Sequence, residues 1–196
     1  MIDVHCLVYK IEDKFFPQIL SQIEREADVN FFIVRNGDNI GEGRIKGFLT
    51  GSNPYVSFVD YDDLIEPGIF TKINSVMETG VPWCYTDEVL IDEEGKVLQP
   101  GWSSNPELYR ESVLTYVRLK KGVYPHHILT FRRELLTPRI VYIMRQLKEL
   151  PEEYLKMELI QYDFKHIHEV GYYWRQHKDN GMKQYKCYKD GERLGL

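Results

Sequence analysis

Tyr55-Val56-Ser57-Phe58-Val59-Asp60-Tyr61-Asp62-Asp63 is the stretch from which the rest of this chain is read. Its first five residues are aromatic, β-branched or small and carry no charge, which is the composition of a buried strand. Three carboxylates follow within four positions. In an open α/β sheet, side chains delivered at the C-terminal end of a buried strand line the ligand crevice. Asp60 and Asp62 are two apart, so an extended chain points both to one side. Carboxylates held that close repel unless a cation lies between them. A hard divalent ion, Mg²⁺ or Mn²⁺, meets that need, above all one already carrying phosphate oxygens. A plainer reading makes the stretch an acidic turn, with Asp62 or Asp63 capping a helix that opens at Leu64-Ile65-Glu66-Pro67.

Upstream, Ile2 to Tyr9 alternates and then turns wholly apolar, as a first buried strand does. Phe15 to Ala27 has the spacing of an amphipathic helix, with Phe16, Ile19, Leu20 and Ile23 on one face. Val29 to Val34 is a second strand, stopped by the turn residues Arg35-Asn36-Gly37-Asp38-Asn39. Together they predict a β-α-β unit with parallel strands. Gly41-Glu42-Gly43-Arg44 opens a second helix reaching Leu49. Its glycines permit close backbone approach to a ligand and Arg44 suits a phosphate; the alternative, favoured by these residues alone, is a solvated loop with an exposed Arg.

Downstream, Pro67 to Glu78 predicts a helix, Val81 to Asp87 a strand, and Val89 to Leu98 a hairpin turning at Glu94-Gly95. Trp102 sits in a polar loop, either as a stacking platform for a sugar or base or as a plug in a groove. Tyr109 to Leu119 and Pro138 to Leu150 predict helices, with Ile128 to Phe131 an apolar run between them. Pro151-Glu152-Glu153 starts a further helix, where carboxylates also suit the N-terminal dipole. His166 to His177 reads as a late strand running into a loop, and residues 183–196 as a polar tail.

The 196 residues suffice for one domain, and 43% apolar with 28% charged residues marks a folded globular chain. A formal net charge of −5 speaks against holding nucleic acid by phosphate neutralisation. Cys6, Cys84 and Cys187 are odd in number and far apart, which suggests neither a zinc framework nor disulfides and fits a reducing, cytoplasmic setting. There is no signal-like N-terminus and no apolar run of membrane-spanning length.

Taken in order, these segments resemble a small family 2 glycosyltransferase of the GT-A fold. Val56 to Gly68 resembles the family's strand ending in Asp-x-Asp-Asp with a Pro a few residues on, and Tyr85 to Lys96 its Tyr-x-Asp hairpin. Gly43 to Gly47, Phe131 to Glu134 and Tyr172 to His177 resemble further family segments. The resemblance implies a GT-A, Rossmann-like mixed sheet, mostly parallel, flanked by helices and carrying a β-hairpin insertion. It covers residues 1–180 as one domain, with 181–196 as a tail. It implies a metal-dependent transfer of a sugar from a UDP- or GDP-sugar to an acceptor hydroxyl, with inversion. The acceptor is left open between a glycan, a lipid-linked sugar, a protein and, as in some viral enzymes, a hydroxymethylated DNA base. Asp60, Asp62 and His177 are the implied contacts to Mn²⁺ or Mg²⁺. Tyr9, Asn36, Asp38, Arg44, Asp60, Trp102 and Arg175 are the implied donor-binding residues. An inverting reaction needs a general base; Glu153 is the first candidate, Glu152 the second and Asp87 a third. This chain departs from the family where the second strand ends in Arg35-Asn36-Gly37-Asp38, at Arg44-Ile45 in place of Arg-Asn, and at Glu152-Glu153 in place of Glu-Asp. A function of another class, a catalytically silent GT-A module binding a nucleotide-sugar or a partner protein, is the alternative.

Overall fold

The computed structural model describes residues 1–8, 14–35, 40–101, 125–147 and 151–177. Strands are β1 (Ile2–Val8), β2 (Val29–Arg35), β3 (Tyr55–Asp60), β4 (Leu64–Ile65), β5 (Trp83–Ile91), β6 (Val97–Pro100), β7 (Leu129–Arg132) and β8 (Phe164–Arg175). Helices are α1 (Phe16–Ile23), α2 (Ile40–Leu49), α3 (Ile69–Glu78), α4 (Pro138–Gln146) and α5 (Pro151–Leu159). The strands form one sheet in the order β2-β1-β3-β7-β5-β8-β4, with β6 added to β5. The expected helix at Tyr109 to Leu119 and the tail lie outside the described residues. Among the described residues no helix is long and apolar enough to cross a membrane.

The β-α-β expectation holds: β1 runs parallel to β2 and to β3. The expectation of a mostly parallel sheet does not. β7 enters antiparallel between β3 and β5, β4 pairs antiparallel with β8, and β6 with β5, while β5 and β8 are parallel. The reason is β7: its four residues are too few to announce a direction in sequence, and only their partners fix it. The short β4 also removes the helix-cap reading of the acidic turn. Leu64 and Ile65 pair with Tyr173 and Tyr172, and α3 starts later, after Gly68 in the left-handed region at φ 79°.

Period-two alternation along β1 and β3 divides the interior. Ile2, Val4, Cys6, Val8 and Val59 face α1 and α3, where Ile19, Ile23, Ile69, Phe70, Ile73 and Met77 meet them. Val56 and Phe58 face the other way, onto Ile45 and Phe48 of α2, Ile140 and Met144 of α4, and Leu155 and Leu159 of α5. Asp60 continues that second face. The Phe131-Arg132-Arg133-Glu134 segment closes the opposite end of the sheet. Arg133 donates to Asp3 Oδ2 at 2.6 Å and to the carbonyls of Phe48, Thr50 and Asn53. Gly51, at φ 83°, has Asp3 packed where a Cβ would lie.

Candidate functional site

The end of β3 places Asp60 beneath α2 and α5. Arg44 of α2 is 3% exposed, not the exposed loop cation that its neighbours suggest. Its guanidinium donates to Asp60 Oδ1, stacks on Phe58 with 4.7 Å to the ring centroid, and has Nε 4.0 Å from Glu152 Oε1. Asp60 Oδ2 lies 3.6 Å from His127 Nε2. Asp60, Arg44 and Glu152 therefore make an acid-base-acid row; burial by itself lowers the Arg44 pKa, but the two carboxylates and the hydrogen bond to Asp60 outweigh it and leave the pKa raised. Such a cation cannot be deprotonated, so it fixes where Asp60 points.

The turn then separates the next two aspartates. Asp62 Oδ2 faces His177 Nε2 at 2.9 Å. Burial, with repulsion from Asp60, raises the Asp62 pKa against the opposing effect of His177. Asp63 turns inward: Tyr172 Oη donates to its Oδ2 and the Arg175 backbone N–H to its Oδ1, each at 2.6 Å. Burial and the nearby Asp62 and Asp60 push the Asp63 carboxyl well above the usual carboxylate range. Tyr172 also accepts from the Asp60 backbone N–H at 3.0 Å, so one tyrosine ties both ends of the turn to β8. Arg175 is 1% exposed. It donates to the carbonyls of Asp62 and Glu93 and to Gln18 Oε1, and it lies over the Phe15 ring. Its guanidinium thus holds the turn against the β5–β6 hairpin and α1.

Asp62 and His177 are a hydrogen-bonded pair whose ligand atoms are also close enough to share one cation. Adjacent ligands of an octahedral ion with bonds of about 2.1 Å lie about 3 Å apart, and the Asp62–His177 spacing is 2.9 Å. Asp60 does not complete a tight trio with them. Among the described residues, the trios whose ligand atoms all lie within 4.8 Å are Asp87-His166-His168 and Glu88-His126-His127. Asp87 is engaged by His166, whose Nε2 lies 2.6 Å from its Oδ1. Glu152 is 6% exposed and faces Arg44. The Glu153 side chain, and Tyr9, Asn36, Asp38 and Trp102, lie outside the described residues.

Sequence reasoning missed the inward role of Asp63 and the histidines beside the turn. His126 Nδ1 lies 3.0 Å from both Glu88 Oε2 and His127 Nδ1. His127 stacks on Tyr172 at 4.6 Å, and burial, with His126, Lys156 and Arg44 nearby, lowers its pKa well below the usual imidazole value. The adjacent His126-His127 pair was visible; its partner Glu88 sits on another strand. A separate groove between α2 and α4, lined by Glu42, Lys46, Leu49 and Arg145 among others, contains none of these groups.

No family model matches the chain, and no curated protein matches it by sequence. Solved structures do. S. aureus TarS 1-349 superposes with a TM-score of 0.67 at 15% identity, over 89% of this chain and 60% of that one. TarS 1-349 in complex with UDP-GlcNAc superposes with a TM-score of 0.70 at 13% identity, over 98% and 65%. The fold is that of a GT-A glycosyltransferase. A complex of TarS 1-349 with UDP matches equally well, with a TM-score of 0.67. This chain spans less than two thirds of each of these structures.

Proposed function

We propose that this protein is a family 2 glycosyltransferase that moves a sugar from a nucleotide-sugar, UDP-linked in the first instance, to an acceptor hydroxyl with inversion. The observation that carries this is the meeting of Asp62 with His177 at the C-terminal end of β3, 2.9 Å apart, in a GT-A fold. The TarS complexes with UDP and UDP-GlcNAc support a uridine donor. Asp62 and His177 would hold Mn²⁺ or Mg²⁺, and Asp60 the donor's ribose or the ion through water. When bound, the ion offsets the negative charge that develops on the departing diphosphate.

The chain's own residues do the rest. Arg44 pins Asp60 in one orientation, and Tyr172 and Arg175 pin the turn, so neither carboxylate has to reorganise as charge develops. Burial on the Phe15 and Phe58 sides keeps water from these contacts. Glu153, at the start of α5 and next to Glu152, is the proposed base that takes the acceptor proton. The acceptor is a hydroxyl on a glycan, lipid-linked sugar, protein or modified DNA base, and the work is done in the cytoplasm.

A thermal-shift screen of UDP- and GDP-sugars with and without Mn²⁺, followed by a donor-hydrolysis assay, tests this. The expected result is a Mn²⁺-dependent stabilisation by one donor and slow hydrolysis of it. Donor binding without turnover, in the presence of every acceptor class, would make the chain a silent binding module. No stabilisation by any donor would remove the proposal.

A further inference from the structure

Away from the Asp60–Asp63 turn, β5 and β8 bring together a second set of ligating side chains. The parallel pairing of these strands is irregular at one place. Thr86 lies opposite Ile167, but Asp87 lies opposite Val170 and Glu88 opposite Tyr172. β8 therefore carries His168, Glu169 and Gly171 as extra residues against an unbroken β5. Bulges of this kind re-aim side chains and cluster beside functional sites. In a regular strand, side chains two residues apart are about 6.6 Å from one another. Here the rings of His166 and His168 are 3.9 Å apart, centroid to centroid. The bulge thus folds His168 back onto His166.

Asp87 faces the same pair. Its Oδ1 is 2.6 Å from His166 Nε2, and the Asp87, His166 and His168 ligand atoms all lie within 4.8 Å of one another. Tyr85 stacks on His166 at 4.3 Å and fixes the ring plane, as supporting residues do around metal-bound imidazoles. His168 is exposed, so an ion can enter from solvent.

We propose that Asp87, His166 and His168 form a second metal site, for a dication of the Zn²⁺ class, with the remaining position left to water. Two imidazoles and one carboxylate are a Zn²⁺ set, with bonds of about 2.0–2.2 Å in a tetrahedral arrangement that keeps one place open. Two imidazoles to one carboxylate favour Zn²⁺ over Mn²⁺ or Mg²⁺, whereas the turn offers a single imidazole, His177, beside its carboxylates. The Glu88-His126-His127 trio is the weaker candidate, because the cations Lys156 and Arg44 bear on His127 and oppose a dication. An ion at Asp87 clamps β5 to the bulge in β8, and it removes the Asp87 carboxylate from the candidates for proton acceptor.

The test is a calorimetric Zn²⁺ titration of the full chain carrying Asp62→Ala, which takes the turn out of the measurement. One equivalent of Zn²⁺ is expected, weakened tenfold or more by His168→Ala and by Asp87→Asn, with unchanged circular dichroism. His168→Ala, at an exposed position, decides the matter if Asp87→Asn does not fold. Absence of a Zn²⁺ equivalent in the Asp62→Ala chain overturns the proposal. So does a weakening of less than tenfold on His168→Ala.

Discussion

Asp62 and Asp63 are neighbours with opposite surroundings, and substitution should separate them. Asp62 keeps 19% of its side chain exposed and touches His177. Asp62→Ala should leave the protein folded and abolish the Mn²⁺ dependence of donor affinity, read by calorimetry. Asp63 is 2% exposed and accepts from Tyr172 and Arg175. Asp63→Ala leaves two buried donors without an acceptor, each unmade bond costing about 1–3 kcal/mol. Chemical denaturation should show a loss of about 3 kcal/mol, several times that of Asp62→Ala. Glu153→Gln should keep donor affinity and lower transfer by roughly 10²-fold, the scale of a lost general base. Wild-type turnover in that variant would pass the role to Glu152.

Among the elements, β8 joins the most functional groups: His166 and His168 at its bulge, Tyr172 and Arg175 on the acidic turn, and His177 just beyond its end. Gly171 sits at the bulge, and its carbonyl accepts from the Glu66 backbone N–H at 3.1 Å. A Cβ there would meet Thr86 Oγ1 at 2.5 Å. Thr86 cannot yield easily, because Oγ1 accepts from the Ile128 backbone N–H and donates to the Asp87 carbonyl. Gly171→Ala should therefore shift β8, cost about 1–3 kcal/mol as overpacking does, and weaken donor binding although it lies outside the donor contacts. Donor affinity equal to wild type would show that the turn holds its shape without β8.

At the scale of the whole molecule, the sheet buries imidazoles on the face covered by α2. His5 is 1% exposed, between Phe48 and Phe58. Burial, with the charges of Arg44 and Arg133, lowers its pKa well below 6.5. The unfolded chain takes up a proton near pH 6.5 that folded His5 refuses, so the unfolded state binds more protons below that pH. Stability is then full above about pH 6.5 and falls as pH drops toward the depressed native value, by up to about 1.4 kcal/mol per pH unit for one proton. Urea midpoints between pH 7 and 5.5 should follow this slope, and His5→Leu should make it shallower. An unchanged slope in His5→Leu would assign the proton uptake to other groups.

By itself the sequence determined the β-α-β opening, the acidic turn at a strand end, the hairpin at Gly95 and the late strand that leads to His177. All four rest on local patterns: a period of two or 3.6, a turn glycine, or carboxylates two apart. Tertiary structure alone decided the rest. The antiparallel entry of β7 depends on its neighbours β3 and β5, which are distant in the chain. Arg44 looked like a surface cation, and only the fold brings it to Asp60, sixteen positions away, with Glu152 beyond. The bulge that gathers Asp87, His166 and His168 is a mismatch between two strands, and neither strand records it alone. The physical reason is that pairing, register and ion partners are relations between segments, and a linear pattern fixes only what each segment prefers by itself.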